Sequence, residues 1–278
     1  MEFRTGLAVK PKEVLRSGQV VFTDGTTDVT PNQIDCEAYG YTYNHITQTC
    51  EAYSYTMRIQ QTLSNETNTI KGSTNTTETG TANTYVIGDS NIVKGEARNN
   101  IIVGSNNEIV NGVNNVGVYG TLGQATASNS IVLGGNSGTD ILSERQSIQL
   151  IYGTQTTQGS TVHSYLNNIT DNYFSIPDNC AMYFHADVLA LRVGGTGTGN
   201  AGDFLSWVER GVVRNASGAI RIERERDTIQ GFGNHTNWRP TAVVSGTDFI
   251  IDVRGATDTT IEWCSNITFT QIKTGVAL

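Results

Sequence analysis

Five glycines place the tightest constraint on this chain. Gly72, Gly88, Gly104 and Gly120 stand 16 residues apart, and Gly134 follows 14 later. Five residues before each of the last four comes an asparagine, Asn83, Asn99, Asn115 or Asn129, in NTYVIG, NNIIVG, NVGVYG and NSIVLG. A weaker half-motif, SNIVKG and NNEIVNG, lies between them. Constant spacing of one short pattern marks a stack of coils in which each repeat pairs with the next. Glycine suits the turn after each strand, where positive φ disfavours a Cβ, and stacked asparagines can bond one another and the turn backbone. Alternation sets Tyr85 and Ile87, Ile101 and Val103, and Ile131 and Leu133 on one face with their leading Asn. Val86, Ile102, Val118 and Val132 occupy the other face. Both faces are apolar, so one is expected to fill the coil and the other, carrying those four residues, to meet a neighbouring chain.

Composition agrees with β structure. The 278 residues include 30 Gly and only 4 Pro, and 37% are hydrophobic, enough to bury a core. With 16% charged residues, surface polarity rests on Thr, Asn, Ser and Gln. The net charge is -8 and the lysines Lys10, Lys12, Lys71, Lys94 and Lys273 are scattered, so nucleic acid is not an expected partner. The first residues lack a secretory pattern, and no run of about 18 apolar residues occurs, so synthesis in a cytoplasm without membrane insertion is expected.

Four regions follow. Residues 1–31 read as an extended arm with one strand and a turn. Residues 32–66 form a Cys/Tyr-rich β module in which CEAY recurs at Cys36 and Cys50, setting Tyr39, Tyr41 and Tyr43 opposite Tyr53 and Tyr55. Residues 67–160 hold the repeats, and 161–278 give longer strands with turn signals every 8 to 15 residues, as in a β-sandwich or jelly roll. Cytoplasmic synthesis favours reduced Cys36 and Cys50, with a disulfide or a metal site shared with His45 as alternatives. Cys180 and Cys264 are expected to be buried thiols.

Candidate chemistry is sparse. GTGNAG (Gly197 to Gly202) fits GxGxxG, but a strand follows it, so it reads as a mobile loop without an anion site. No GxSxG, HExxH or P-loop occurs, and His45, His163, His185 and His235 are dispersed. Glu223 and Glu225 are expected to form a surface ion-pair ladder with Arg224 and Arg226. The N-x-[ST] sites at Asn65, Asn75, Asn168, Asn215, Asn234 and Asn266 are what an Asn- and Thr-rich chain produces by chance. No catalytic, cofactor or metal residue is expected. Trp238, with Asn234 and His235, is the candidate surface contact, and a core position for Trp238 is the equal alternative.

The N-x-[IV]-x-[IV]-G coils resemble the head repeats of trimeric autotransporter adhesins, which recur in bacteriophage fibres, over about residues 68 to 153, with SIQLIYG (Ser147 to Gly153) as a last degenerate coil. The ordered stretches IPDN, VLALRVGGTG, GDFLSWVERGVVRN, FIIDVRG and TIEWCSNITFTQI resemble a C-terminal domain of phage tail and fibre proteins over residues 170 to 273. These resemblances imply an all-β chain: an arm and small β module, a left-handed parallel β-roll associating as a homotrimer, and a C-terminal β-sandwich or jelly-roll-like domain. They imply a non-enzymatic virion appendage on tail, baseplate or head. It would bind other virion proteins through its N-terminal region and a host-surface glycan or protein at its tip. A bacterial trimeric autotransporter adhesin is the alternative, and a depolymerising tailspike is disfavoured for want of length and of a carboxylate-lined repeat face.

Overall fold

The computed structural model describes residues 9–15, 18–45, 47–52, 67–135 and 141–276. Tyr53 and Tyr55 lie outside them. The chain divides into two compact units, Met1–Glu66 and Thr67–Leu278.

In the first unit, β1 (Lys10–Val14), β2 (Gln19–Thr23) and β3 (Asp28–Val29) precede α1 (Gln33–Ala38), β4 (Thr42–Asn44) and β5 (Thr49–Glu51). Asn32 caps α1 by accepting the Asp35 N–H at 2.8 Å. Among the described residues the expected separate arm is not seen: β2 pairs with β1, β3 and β5, so residues on both sides of position 31 share one sheet. Val20, Phe22, Cys36 and Cys50 bury together beneath Tyr41 and Tyr43. Such a small core gains from a covalent brace. Cys36 and Cys50 supply one as a disulfide, correcting the expectation of free thiols; α1 and β5 bring their Cα atoms to 5.6 Å, a proximity that sequence spacing alone could not establish. Closing a loop of about 15 residues is worth about 3 kcal/mol. Replacing both cysteines by serine is therefore expected to lower the thermal transition of this unit by that amount while leaving the transition of the second unit in place, as calorimetry would show.

The second unit opens with a parallel β-solenoid of four coils. β6 (Thr69–Lys71), β8 (Tyr85–Ile87), β10 (Ile101–Ser105), β12 (Gly117–Thr121) and β14 (Ile131–Gly135) stack in one sheet. β7 (Thr76–Thr77), β9 (Ile92–Val93), β11 (Glu108–Ile109) and β13 (Gln124–Ala125) stack in a second. Register is strict: Val86, Ile102, Val118 and Val132 align, as do Ile87, Val103, Tyr119 and Leu133. The two rows are exchanged relative to expectation. Val86, Ile102 and Val118 are 0% exposed and Val132 1%, sharing the interior with Val93, Ile109 and Ala125, so these four cannot meet another chain. Only the central residue of each three-residue strand core points inward, and the flanking pair points out. A narrow coil has room for one large side chain per strand and layer.

Asparagine ladders hold the turns. Asn83, Asn99, Asn115 and Asn129 occupy left-handed backbone at φ 52 to 59°, and Asn83 bonds Asn99 at 3.1 Å. The continuous buried ladder lies elsewhere, three residues after the turn glycines, at Asn75, Asn91 and Asn107. Asn91 donates to the Asn75 side-chain oxygen at 3.0 Å and to the Gly104 carbonyl at 2.8 Å. Its own oxygen accepts the backbone and side-chain N–H groups of Asn107 at 3.0 and 3.1 Å. Gly123 replaces the next asparagine and ends the ladder by donating its N–H to Asn107.

β15 (Arg145–Thr156) continues the first solenoid sheet but runs antiparallel to β14. SIQLIYG therefore belongs to a long strand and is not a coil, and the repeat region ends before residue 145 instead of at 160. β16 (Thr161–Leu166), β17 (Phe174–Ser175), β18 (Cys180–Gly194), β19 (Phe204–Ala216), β20 (Ala219–Phe232), β21 (Arg239–Ser245), β22 (Asp248–Arg254) and β23 (Thr260–Lys273) complete the unit. The long strands order as β20-β19-β18-β23-β15, while β22 gathers β16, β17 and β21 into a smaller antiparallel group. The two groups meet through Phe184, Phe249 and Phe269, with ring centroids 5.0 Å apart, and through Tyr152, whose hydroxyl donates to the Phe249 carbonyl at 2.9 Å. Cys180 is buried, and burial pushes its thiol up to about 11. Cys264 is exposed, correcting the second thiol expectation, because Trp263 and Ser265 take the inward positions of β23.

Candidate functional site

The residues expected at the surface contact separate. Trp238 is 5% exposed and packs edge-on to His235 at 6.5 Å, so it is a core residue and not a contact platform. Asn234 and His235 are half-buried, and the Asn234 N–H donates to Asp203 at 3.1 Å. That carboxylate also accepts the Asn200 N–H at 2.8 Å, and these backbone bonds help to hold it below its usual range. Across the same loop, Arg192, 3% exposed, donates to the carbonyls of Gly194, Gly195, Gly197 and Thr198 at 2.7 to 3.0 Å. GTGNAG is thus a loop, as expected, but one pinned by a buried arginine and a buried aspartate. Arg192→Ala would strand those carbonyls and is expected to cost about 3 kcal/mol. Urea unfolding measures the loss, and limited proteolysis should cut within residues 194–202.

A second cluster lies where the long sheet meets the small one. Glu209 of β19 is 1% exposed, beside Val213 and Trp207 on the inward face. Its partners come from two edge strands. Arg226 of β20 stands 3.8 Å from one Glu209 oxygen, while the Ala242 N–H of β21 bonds the carboxyl. Arg226 also donates to the Pro240 carbonyl at 2.6 Å, and Arg224 donates to that of Ala242. The arginines thereby satisfy carbonyls on the edge of β21 that no strand covers. Burial pushes the Glu209 carboxyl above its usual range, against the pull of Ala242 and of both arginines, and Oε2 has no hydrogen-bond partner. A cleft of about 380 Å³ opens here, lined by Glu209, Arg224, Glu225, Arg226, Arg239 and Thr241.

The expected ladder of Glu223 and Glu225 with Arg224 and Arg226 does not form. Alternation along β20 turns the two arginines toward β21, and Glu225 pairs instead with Arg210 of β19, which also reaches Asp227 at 3.2 Å. Sequence reasoning missed Glu209. Its signal was a lone acid in alternation with the apolar residues Leu205, Trp207 and Val213 of LSWVERGVV.

A third feature is the outer face of the first solenoid sheet. Tyr85, Ile101 and Ile131 form one row, and Ile87, Val103, Tyr119 and Leu133 another, with Tyr85 and Leu133 each 54% exposed. Aligned in this way, the rows form a contiguous exposed apolar patch on the solenoid.

Among the described residues no group of three or more His, Cys, Asp and Glu could hold a metal ion, and no helix is long and apolar enough to cross a membrane. No family pattern and no curated protein matches the chain. Among solved structures it is similar to the tailspike protein of Acinetobacter baumannii phage AM24, with 10% identity over 73% of this chain and 43% of that one, and a TM-score of 0.29. It is also similar to the tailspike protein gp49 of Acinetobacter baumannii bacteriophage Fri1, described as a capsular polysaccharide depolymerase, with 8% identity over 75% and 38% and a TM-score of 0.27. The tailspike protein of Acinetobacter phage vB_ApiP_P1 gives 13% identity over 76% and 49%, with a TM-score of 0.22. The chain spans less than half the length of each. The expectation of a non-enzymatic chain, and with it the dismissal of the tailspike class, is corrected at this point: proteins similar to this chain include one named as an enzyme.

Proposed function

We propose that this chain is an appendage protein of a bacteriophage virion, three copies of which associate through the outer face of the solenoid, and that it contributes to attachment at a host surface. The observation that carries the reading is the pair of apolar rows through Tyr85 and Leu133. In an isolated chain these rows face water. Facing rows of three copies would bury them and would place three surface sites on one particle, a gain by avidity without any new contact. In this reading the solenoid is a repeat of the trimeric-autotransporter kind, the two C-terminal sheet groups form a β-sandwich, and the N-terminal unit binds other virion proteins. The disulfide in that unit suits a protein that works outside a cell. Depolymerisation of a capsular polysaccharide, named for the Fri1 protein, is the reaction to assay, with a host-surface glycan or protein as the partner.

Native mass spectrometry tests the assembly. A species near three times 30.0 kDa is expected, and Ile87→Asp with Leu133→Asp should convert it to single chains with unchanged circular dichroism. A folded single chain for the unaltered protein would overturn the reading.

A further inference from the structure

We infer that the cleft between β20 and β21 is a binding site for an oxyanion, carboxylate or phosphate, received by the guanidinium groups of Arg239, Arg226 and Arg224. The inference does not depend on the appendage reading. Its first support is charge. In a chain of net charge -8, three arginines line this cleft, against Glu209 on its floor and Glu225 on its rim. Glu225 is bound by Arg210 on the far face of β20, which leaves the cationic groups in excess.

The second support is position. Arg239 stands directly opposite Arg254 in the β21–β22 ladder, a like-charge pair that disfavours the sheet unless an anion lies nearby. Arg254 spends its Nε on the Gly159 carbonyl at 2.9 Å, whereas the Arg239 side chain makes no hydrogen bond or ion pair among the described residues. The third support is orientation. Arg226 and Arg224 are fixed by the Pro240 and Ala242 carbonyls, and each keeps further N–H donors of its fork for a ligand. A guanidinium held in this way can form the paired, charge-assisted bonds that carboxylate and phosphate accept. The volume of about 380 Å³ lies within the range of small-molecule sites, about 300–1,000 Å³.

Isothermal titration calorimetry on the full chain, with inorganic phosphate, sodium glucuronate and neutral glucose as probes, tests the site. One saturable event per chain is expected for at least one anion and none for glucose. Tighter glucuronate identifies a carboxylate ligand and tighter phosphate a phosphate ligand. Arg239→Ala should weaken binding about tenfold, the loss of one charge-assisted bond. Since the Arg239 side chain bonds nothing among the described residues and the β21–β22 pairing is a backbone one, the circular dichroism of the variant should be unchanged. Glu209→Gln, which keeps the shape and removes the opposing charge, should tighten binding severalfold. Absence of saturable binding for both anions, or equal affinity in Arg239→Ala, overturns the inference.

Discussion

Gly104→Ala is expected to disrupt the solenoid, at a cost of more than about 4 kcal/mol, well beyond an ordinary single substitution. Two independent effects combine. Gly104 has φ +139°, where an L side chain is strained, and an added Cβ would run into the carbonyl of Gly120 in the next coil. That carbonyl cannot retreat, because Gly104 and Gly120 are partners in the β10–β12 ladder and Asn107 donates to the same oxygen at 2.9 Å. Urea unfolding followed by circular dichroism measures the effect. Gly112→Ala is the control. Its φ of +72° carries the conformational strain, but nothing lies within 4 Å of the new Cβ, so about 1–2 kcal/mol is expected. Equal losses at the two positions would show that coil-to-coil approach does not decide stability.

Asn91→Ala is expected to cost about 3–5 kcal/mol, because removing one partner from a buried set leaves each remaining group with its own desolvation penalty. The groups stranded are the Gly104 carbonyl and the backbone and side-chain N–H groups of Asn107. The two asparagines lie in a turn closed to water, at 0% and 1% exposed for Asn91 and Asn107, and the Gly104 carbonyl at its margin is partly buried. Asn83→Ala at the outer turn removes a single exposed bond and adds left-handed strain, and should cost about 1 kcal/mol. Chemical denaturation of the two variants side by side gives the contrast. Similar values would mean that the inner ladder is no more than a surface ornament of the repeat.

Much of the architecture was legible in the chain. A glycine every 16 residues demands a repeating turn, and three-residue strands flanked by Asn and Gly can satisfy their backbone groups only by stacking. The longer alternating segments after residue 161 likewise read as paired strands. The site was far less legible. Glu209, Arg224, Arg226 and Arg239 come from three strands, and only the meeting of β20 with β21 gathers them. Trp238 misled because a tryptophan near Asn and His reads equally well as surface or core, and only its packing shows which.

Sequence by itself determined the period of the solenoid, its turn glycines and the all-β character, since these follow from backbone sterics and side-chain alternation within a few residues. Tertiary structure alone decided which of two apolar faces is interior, that Cys36 meets Cys50, that SIQLIYG turns antiparallel, and where the buried Asn ladder runs. Each of those outcomes depends on what lies across the coil or across the sheet, and short-range alternation is the same for either choice. Val86 and Tyr85 both follow a strand's rules; the width of the coil admits one of them.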